Sequence, residues 1–396
     1  AVKGTTVDGH DYIASAIERG AAVIVCERIP DAIDEEVKAR VPFLVVPDAA
    51  DALGRLLDTW HGHPSQCLTL IGVTGTDGKS SLVHFLAQAT GGAMLGTIGY
   101  GTLDALEAAS HTTPDPLRVQ QYLARFRDAG IETVAMEVSS HALAQGRVAA
   151  VEYHIGVFTN LSRDHLDYHR DMEDYFLAKA SLFARPLPVA VINIDDAHGR
   201  RLLDENRVHP DTRVIAVSSH DNSHPRAAQT LRARNIALSP DGIAYTLETE
   251  AEQVAIQSGL LARFNVDNLL NTAACLLALG TPFAAIPAKL AALHGVPGRA
   301  ERIGLGNGAA AIIDYAHTPA ALANILQGVR AHVPGKLWCI YGCGGDRDRG
   351  KRPLMAQAAE QYADAVVITD DNPRTENPAD IIADSLRGMD TAKKRG

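Results

Sequence analysis

The sequence has few cysteines and no apolar run long enough to cross a bilayer. Its five cysteines are scattered and odd in number, so they form no paired disulfide framework, and this pattern suits a reducing cytoplasm. The nearest pair, Cys339 and Cys343, is not spaced as C-x-x-C, and we expect both residues in a core or at a strand end. We therefore expect a cytoplasmic protein without a membrane partner.

The chain also lacks an excess of positive charge. It contains 37 Lys and Arg against 47 Asp and Glu, a net charge of −10, which argues against a nucleic-acid partner. Any anionic substrate must then be bound by local lysines and arginines. With 46% hydrophobic residues over 396 positions, and with no internal repeat, the chain can bury the cores of two or three domains.

The clearest functional signal is a glycine-rich stretch after an apolar run. The run from Leu68 ends in Gly72-x-x-Gly75-x-x-Gly78-Lys79-Ser80, and a helical pattern follows. Backbone N–H groups in such a turn, the helix dipole and the lysine all favour a bound phosphate, and the serine hydroxyl suits Mg²⁺. The match to the general P-loop is imperfect, because its first glycine would fall at Val73. The alternative is a glycine-rich turn that binds nothing.

Alternating strand and helix patterns predict an α/β fold with a mostly parallel central sheet. We expect domain boundaries near residues 63 and 297. Met94 to Tyr100 predicts one strand, and Ala310 to Tyr315 predicts the strand that opens the last α/β series. Between about 220 and 262 the pattern alternates around Ser239-Pro-Asp-Gly242, which predicts an antiparallel hairpin.

Polar residues follow the predicted central strands, at the edge where parallel sheets bind ligands. Glu137 ends a buried strand beside the P-loop strand, where P-loop proteins usually hold a metal-binding acid. His165 follows the next strand, although a lone imidazole is an unusual ligand for Mg²⁺. Lys179 lies in a helix soon after, and its position alone indicates a surface lysine.

Further candidates lie towards the C-terminus. The segment Phe264 to Asn268 opens a helix, and its asparagines either cap the helix or contact an adenine edge. Asp314 begins a polar run after a strand, where it is either part of a capped strand end or a ligand. Two charged turns, 342–353 and 370–374, follow consecutive strands. If these turns were only solvated loops, their charges would be explained, but not why both follow consecutive strands at the edge where ligands bind. Arg347 and Arg374 could each bind a carboxylate through two N–H groups.

Six of these motifs, in order along the chain, resemble those of the Mur ligases, and specifically the type that adds 2,6-diaminopimelate. They are Thr74-Gly-Thr-Asp-Gly-Lys-Ser80, Glu137-Val-Ser-Ser-His141, Asn160-Leu-Ser-Arg-Asp-His165, Tyr175 to Lys179, Asp314-Tyr-Ala-His317 and Asp371-Asn-Pro-Arg374. The resemblance covers essentially the whole chain. It implies three α/β domains: a UDP-binding N-terminal domain (1–63), a central ATP-binding P-loop domain (64–297) and a C-terminal, Rossmann-like amino-acid-binding domain (298–396).

The activity that the resemblance implies is ATP-dependent amide-bond formation in peptidoglycan synthesis. ATP would phosphorylate the D-glutamate carboxylate of UDP-MurNAc-L-Ala-D-Glu, and the amine of meso-diaminopimelate would attack the acyl phosphate. Because two anions must be brought together, such a site needs Mg²⁺ and cationic side chains. We expect the protein to act as a monomer.

The resemblance also implies roles for individual residues. Lys79, Glu137, His165 and Lys179 would be catalytic. Ser80 and Glu137 would hold one Mg²⁺, and a second would be held by Glu137, His165 and a Lys179 that CO₂ has carbamylated. The residues implied in ATP binding are Gly75, Thr76, Asp77, Gly78, Lys79, Ser80, Asn268, Arg299 and Asp314.

Two further sets would bind the other substrates. The residues implied for the UDP-MurNAc-peptide are Thr5, Thr6, Val7, Thr112, Thr113, Ser139, Gln145 and Arg147. Those implied for the incoming amino acid are Arg347, Asp371, Asn372, Pro373 and Arg374. Arg374 would select diaminopimelate, because lysine lacks the distal carboxylate that an arginine fork binds.

Some features depart from the family pattern. Asp77 and His111 stand where the family usually has asparagine, and Ser80 and Ser81 replace the commoner threonines. We expect both ends to be cut, so that the start of the uridine-binding domain and a Gly-Lys-Gly-His-Glu stretch are absent.

The alternatives belong to different classes of protein. A truncated chain could bind nucleotide without turnover. Folylpolyglutamate synthase shares the fold and mechanism, but it lacks the first domain and the Asp-Asn-Pro-Arg run. A P-loop kinase or GTPase would need base-recognition motifs that we do not find in this sequence.

Overall fold

The computed structural model describes residues 1–4, 7–306 and 308–390. Contacts between residues divide the chain into two compact units. The first contains Ala1–Ala216 and His224–Ala228, and the second contains Val217–Ser223 and the described residues from Gln229 onward.

A small α/β layer opens the first unit. Its helices and strands are α1 (Ile13–Glu18), β1 (Ile24–Cys26), α2 (Glu35–Arg40), β2 (Phe43–Val45) and α3 (Ala49–Trp60). The two strands pair in parallel over a small core of Ile13, Ile24, Cys26, Ile33 and Val41. α2 buries no residue, so its sequence carries no apolar period that would predict a helix.

A largely parallel sheet forms the main body of the first unit. Its elements in chain order are β3 (Thr69–Thr74), α4 (Lys79–Thr90), β4 (Ala93–Gly96), β5 (Gly99–Thr102), α5 (Pro116–Asp128), β6 (Thr133–Glu137), α6 (Ser140–Ala144), β7 (Ile155–Phe158), α7 (Met172–Ala180), β8 (Val189–Asn193), α8 (Ala197–Asp204) and β9 (Arg213–Ser218). The strand order is β9-β8-β7-β3-β6-β4-β5. β3 lies between β6 and β7 and is parallel to both, so their carboxyl ends share one edge.

One strand prediction in this sheet is wrong. Met94 to Tyr100 is not one strand but a hairpin, in which β4 and β5 run antiparallel and Gly96 lies opposite Gly99. The apolar pattern continues across the turn and hides the reversal, which the glycines permit. A Cβ on Gly96 would lie only 2.5 Å from Oε1 of Glu137, so the hairpin also packs directly against a candidate site residue.

The second unit begins with antiparallel strands and two helices. These are β10 (Gln229–Ser239), β11 (Gly242–Glu248), β12 (Gln253–Ser258), α9 (Phe264–Ala278) and α10 (Ile286–Ala291). Ser239 lies opposite Gly242 in the β10–β11 pair, which confirms the hairpin expected at this turn.

The remainder of the second unit is another α/β series. It comprises β13 (Glu301–Gly306), β14 (Ala309–Ile313), α11 (Pro319–Arg330), β15 (Trp338–Tyr341), α12 (Lys351–Tyr362), β16 (Ala365–Ile368) and α13 (Pro378–Leu386). β15 and β16 pair in parallel as expected, whereas β14 pairs antiparallel with β13 and does not open the parallel series. Cys339 and Cys343 are buried in this core. No helix in the described part of the chain is long and apolar enough to span a bilayer.

Candidate active site

The glycine-rich stretch forms a turn between β3 and α4. Gly75 and Gly78 adopt φ values of +148° and +83°, which residues with a Cβ rarely reach. The helix begins at Lys79, directly after Gly78. The turn therefore places backbone N–H groups and the positive end of a helix dipole at the carboxyl edge of the sheet, as phosphate binding requires.

Two lysines converge on this turn. Nζ of Lys79 donates to the carbonyl oxygens of Gly75 and Thr76 at 3.0 and 2.7 Å. Nζ of Lys179, which comes from α7, donates to the same Gly75 oxygen at 2.7 Å. Both lysine side chains thus lie beside the proposed phosphate-binding backbone.

Lys179 is not the surface lysine that its position alone indicates. The residue is 1% exposed, and its Nζ lies 4.6 Å from the ring centroid of Tyr175. Burial, and then the neighbouring charge of Lys79, lower the pKa of Lys179 well below its usual value. Burial beside a second cation therefore favours an unprotonated amine.

The turn is held from the end of β7. Oγ1 of Thr159 and Nδ2 of Asn160 donate to the carbonyl oxygen of Asp77 at 2.7 and 3.2 Å, and the Asn160 side chain accepts from the Asp77 N–H at 2.9 Å. The exposed carboxylate of Asp77 accepts a hydrogen bond from Oγ of Ser162 at 3.4 Å. The family's usual asparagine could accept the same bond, so this departure leaves the contacts of the turn intact.

We predict that Gly75→Ala destabilises the first unit and abolishes nucleotide binding. Its Cβ would lie 1.9 Å from Oγ1 of Thr159, at a φ that alanine does not favour. Together these effects cost about 2 kcal/mol or more. Thermal unfolding and nucleotide titration measure the two effects. Gly91→Ala is the matched control, because that glycine also has positive φ but nothing lies within 4 Å of its Cβ, so it should cost only about 1 kcal/mol and keep binding.

Glu137 ends β6 beside the P-loop strand, as the sequence predicts. Its position in the parallel pair is opposite Val73, and the residue is 1% exposed. The carboxylate accepts hydrogen bonds from the backbone N–H and the hydroxyl of Thr97, at 2.7 and 3.4 Å. A buried carboxylate at this edge retains lone pairs for a cation.

His165 lies in a cluster of histidines and tyrosines that the sequence motifs do not predict. Its ring centroid is 4.9 Å from that of His141, which is 4.2 Å from Tyr168 and 5.7 Å from His169. Burial lowers the pKa of both His141 and His169. Neutral imidazoles accept a proton or a cation, and the only sequence signal was the repeated histidine near each strand end.

The residues implied in binding the UDP-MurNAc-peptide form one hydrogen-bonded group. Oγ1 of Thr113 donates to the carbonyl oxygen of Glu137 at 2.8 Å and contacts Oγ of Ser139 at 3.2 Å. Arg147 donates to the Thr113 carbonyl oxygen at 3.0 Å and, through Nε, to Oε1 of Gln145 at 2.8 Å.

This group continues towards the hairpin and the histidine cluster. Oγ1 of Thr97 contacts Oγ1 of Thr112 at 3.1 Å, and Nε2 of Gln145 donates to Tyr168 at 3.2 Å. Val7 is exposed, whereas Thr5 and Thr6 lie outside the described residues.

Three further candidates lie in the second unit. Asn268 is not a cap: it lies within α9, is buried, and donates to Oδ1 of Asn265 at 2.9 Å. Both carboxylate oxygens of Asp314 accept backbone N–H groups, those of Ala300 and Ala316, at 2.8 Å each. Arg299 lies over the ring of Tyr315, 5.1 Å from its centroid.

The two charged turns lie together at the carboxyl ends of β15 and β16. The Gly345 N–H donates to the carbonyl oxygen of Asn372 at 2.8 Å, and the Arg374 guanidinium donates to the Gly345 carbonyl oxygen. Arg347, Asp371 and Arg374 are all exposed. The structure thus brings together the residues that the sequence groups as an amino-acid site.

The candidate ligands suit Mg²⁺ and not a metal ion held by protein side chains alone. Among the described residues, no group of three or more His, Cys, Asp or Glu could hold a metal ion by itself. Mg²⁺ usually takes only one or two protein carboxylates and completes its shell with water and phosphate oxygens. Glu137 and the Ser80 hydroxyl suit that arrangement, and a carbamate on Lys179 would add another anionic oxygen ligand.

Comparisons with known proteins find the same family along most of the chain. Three family models match: "Mur ligase family, catalytic domain" at residues 1–61, "Mur ligase middle domain" at 73–276 and "Mur ligase, glutamate ligase domain" at 298–394. A UDP-N-acetylmuramoyl-L-alanyl-D-glutamate–2,6-diaminopimelate ligase of Pseudomonas aeruginosa is 46% identical over 100% of this chain and 80% of its own length. A ligase of the same name from Xanthomonas campestris is also 46% identical, over 98% of this chain and 78% of its own.

Solved structures show the same architecture. A structure of a ligase with that name has a TM-score of 0.75 at 34% identity, and covers 97% of this chain and 77% of its own. A folylpolyglutamate synthase of Mycobacterium tuberculosis has a TM-score of 0.63 at 19% identity, covering 85% of this chain and 83% of its own, which shows a shared fold alone. These matches confirm the three-domain α/β architecture that the motifs imply.

Proposed function

Because the chain belongs to the Mur ligase family, we propose that it joins meso-diaminopimelate to UDP-MurNAc-L-Ala-D-Glu at the expense of ATP, in cytoplasmic peptidoglycan precursor synthesis. The observation that carries the proposal is the buried Lys179 against the P-loop carbonyl of Gly75. A general P-loop kinase needs no second buried lysine at that point. We also propose domain boundaries at 1–63, 64–297 and 298–396.

The reaction proceeds in two steps, phosphorylation of a carboxylate and then attack by an amine. An oxygen of the D-glutamate carboxylate attacks the γ-phosphorus of ATP, the bond to the bridging oxygen breaks, and ADP leaves. The diaminopimelate amine then attacks the acyl carbon, loses a proton, and expels inorganic phosphate. Lys79 and the N–H groups of the turn bind the β- and γ-phosphates, where they offset the charge that develops during transfer.

Two Mg²⁺ ions would neutralise charge between the nucleotide and the carboxylate substrate. Ser80 and Glu137 would hold one of them, and Glu137, His165 and Lys179 the other. In its neutral form, Nζ of Lys179 adds to the carbon of CO₂ and loses a proton, which leaves a carbamate anion. The lowered pKa and the burial of this lysine support that modification.

The remaining candidates bind and orient substrates. We propose that Thr112, Thr113, Ser139, Gln145 and Arg147 hold the UDP-MurNAc-peptide, with Thr5, Thr6 and Val7 near the uridine. The family resemblance assigns ATP contacts to the residues from Gly75 to Ser80 in the first unit, and to Asn268, Arg299 and Asp314 in the second. Arg347 and Asp371 to Arg374 bind diaminopimelate. Hydrogen bonds within the UDP-MurNAc-peptide set, and between the two charged turns that carry the amino-acid set, support those two assignments.

Phosphate release from ATP tests the proposal. We expect release that requires UDP-MurNAc-L-Ala-D-Glu and meso-diaminopimelate together, with one ligated product for each phosphate. Release with the nucleotide sugar absent would contradict the assigned substrate. Nucleotide binding without any release would show the non-catalytic alternative.

A further inference from the structure

An ion cluster built on a buried arginine lies beside the two charged turns of the second unit. Arg352, in the first turn of α12, is fully buried. Its guanidinium donates to Glu376 at 2.7 and 3.1 Å and to Asp384 of α13 at 2.9 Å. A buried arginine requires such partners, because one left unpaired would cost several kcal/mol. We call Arg352, Glu376 and Asp384 the Arg352 cluster.

One member of the cluster connects both turns. Glu376 lies two residues after Arg374, and its Oε1 accepts the backbone N–H of Asp346 at 2.6 Å. Asp346 directly precedes Arg347 in the other turn. Hydrogen bonds from Arg352, and then from the Asp346 N–H, lower the pKa of Glu376 to about 2. The carboxylate is therefore ionised at neutral pH and fixes both turns at once.

Further contacts leave little freedom between the turns. The N–H and hydroxyl of Thr375 donate to the Asp346 carboxylate at 3.1 and 2.7 Å. Gly345 packs so closely that a Cβ there would lie 1.9 Å from the Pro373 carbonyl oxygen. The backbones of the two turns are therefore in direct contact at Gly345 and Pro373.

The backbone has positive φ at Arg374 and at the residue before Arg347. Asp346 and Arg374 adopt φ values of +51° and +50°, the left-handed region that non-glycine residues occupy only when their surroundings enforce it. One of these residues precedes Arg347 and the other is Arg374 itself. The contacts of Glu376 and Thr375 hold Asp346, and those of Arg374 to Asn372 and Gly345 hold Arg374.

We infer that Arg352 and Glu376 are positioning residues for the incoming amino acid, which hold the two turns in register so that Arg347 and Arg374 meet its carboxylates. This inference rests on the proposed function. Because Arg352 is fully buried, it acts through the turns and not by contact with substrate. A merely structural cluster would stabilise the fold without affecting the affinity for one substrate.

Two matched variants separate the roles. Glu376→Ala and Asp384→Ala each remove one carboxylate from the same guanidinium, but only Glu376 reaches the other turn. We expect Glu376→Ala to raise KM for diaminopimelate roughly 10- to 100-fold, with little change in kcat or in KM for ATP. Asp384→Ala should lower the melting temperature and leave all KM values unchanged.

The outcomes are distinguishable. Equal losses of thermal stability with no change in KM for diaminopimelate would overturn the positioning role. If Glu376→Ala does not fold, the exposed Thr375→Val replaces it, and an unchanged KM for diaminopimelate in that variant would also overturn it. If the wild-type chain ligates diaminopimelate and the variants have the same KM for it, only this inference is refuted. A wild-type chain that never uses diaminopimelate refutes the proposed function, and the inference with it.

Discussion

Lys179→Ala is expected to lose roughly 10²- to 10³-fold in kcat, and added formate or acetate is expected to restore part of it. The physical reason is the burial of this lysine against the P-loop with no carboxylate partner among the described contacts. As a carbamate it would supply an anionic oxygen that a small carboxylate can replace in the space left by the truncated side chain. The measurement is the ligation rate over a range of carboxylate concentrations.

The matched control is Lys79→Ala. That side chain supplies positive charge to phosphate, so carboxylates should not restore its activity. In the wild-type chain, ¹³C-labelled bicarbonate should give a carbamate carbon signal in NMR spectra that Lys179→Ala lacks. Near-normal activity of Lys179→Ala, with no carbamate signal in the wild-type chain, would show that this lysine is only structural.

Arg374→Ala is expected to lose diaminopimelate addition by about 30- to 4,000-fold in kcat/KM. This range corresponds to the 2–5 kcal/mol that truncating one partner of a hydrogen-bonded charge pair costs. Arg374 is exposed at the turn, and in the described contacts its guanidinium donates only through Nη1, to a backbone carbonyl, so its other N–H groups are available for a carboxylate. L-lysine lacks the distal carboxylate and should lose far less.

Steady-state kinetics with both amino acids measure this selectivity. Arg387→Ala is the control, because Arg387 is an exposed arginine of the same unit that pairs with Asp384. It should change neither rate. If Arg374→Ala kept the wild-type preference for diaminopimelate over L-lysine, the distal carboxylate would have to be bound elsewhere.

The parts of the site that local backbone geometry determines could be predicted from the sequence. Glycine at positions 75 and 78 is what the positive φ values of the P-loop require. Glu137 falls at a strand end, and parallel pairing places that end beside the P-loop. The same rule brought the two charged turns together, because β15 and β16 are parallel neighbours.

The burial of Lys179 was harder to predict, although a signal was present. Lys179 lies four residues after Tyr175, so both occupy one face of α7, and Tyr175 is fully buried. In the isolated helix, the charge of Lys179 indicates exposure more strongly than this spacing indicates burial. Burial followed only from the resemblance to the family.

Local sequence patterns do not predict contacts between residues that are far apart in the chain. Arg352 pairs with residues 24 and 32 positions away, and no local pattern in the charged turn predicts those partners. The cluster of His141, His165 and His169 likewise joins segments from two different strand ends. Such groups form only when the sheet has set the order of its strands.

The fate of a carboxylate oxygen tests the central proposal most directly. UDP-MurNAc-L-Ala-D-Glu with ¹⁸O in the D-glutamate carboxylates would be incubated with ATP and meso-diaminopimelate, and the released phosphate analysed by mass spectrometry. Acyl phosphate formation predicts one ¹⁸O in each phosphate, because the oxygen that attacks phosphorus leaves with it. Unlabelled phosphate accompanied by ligated product would contradict an acyl phosphate route.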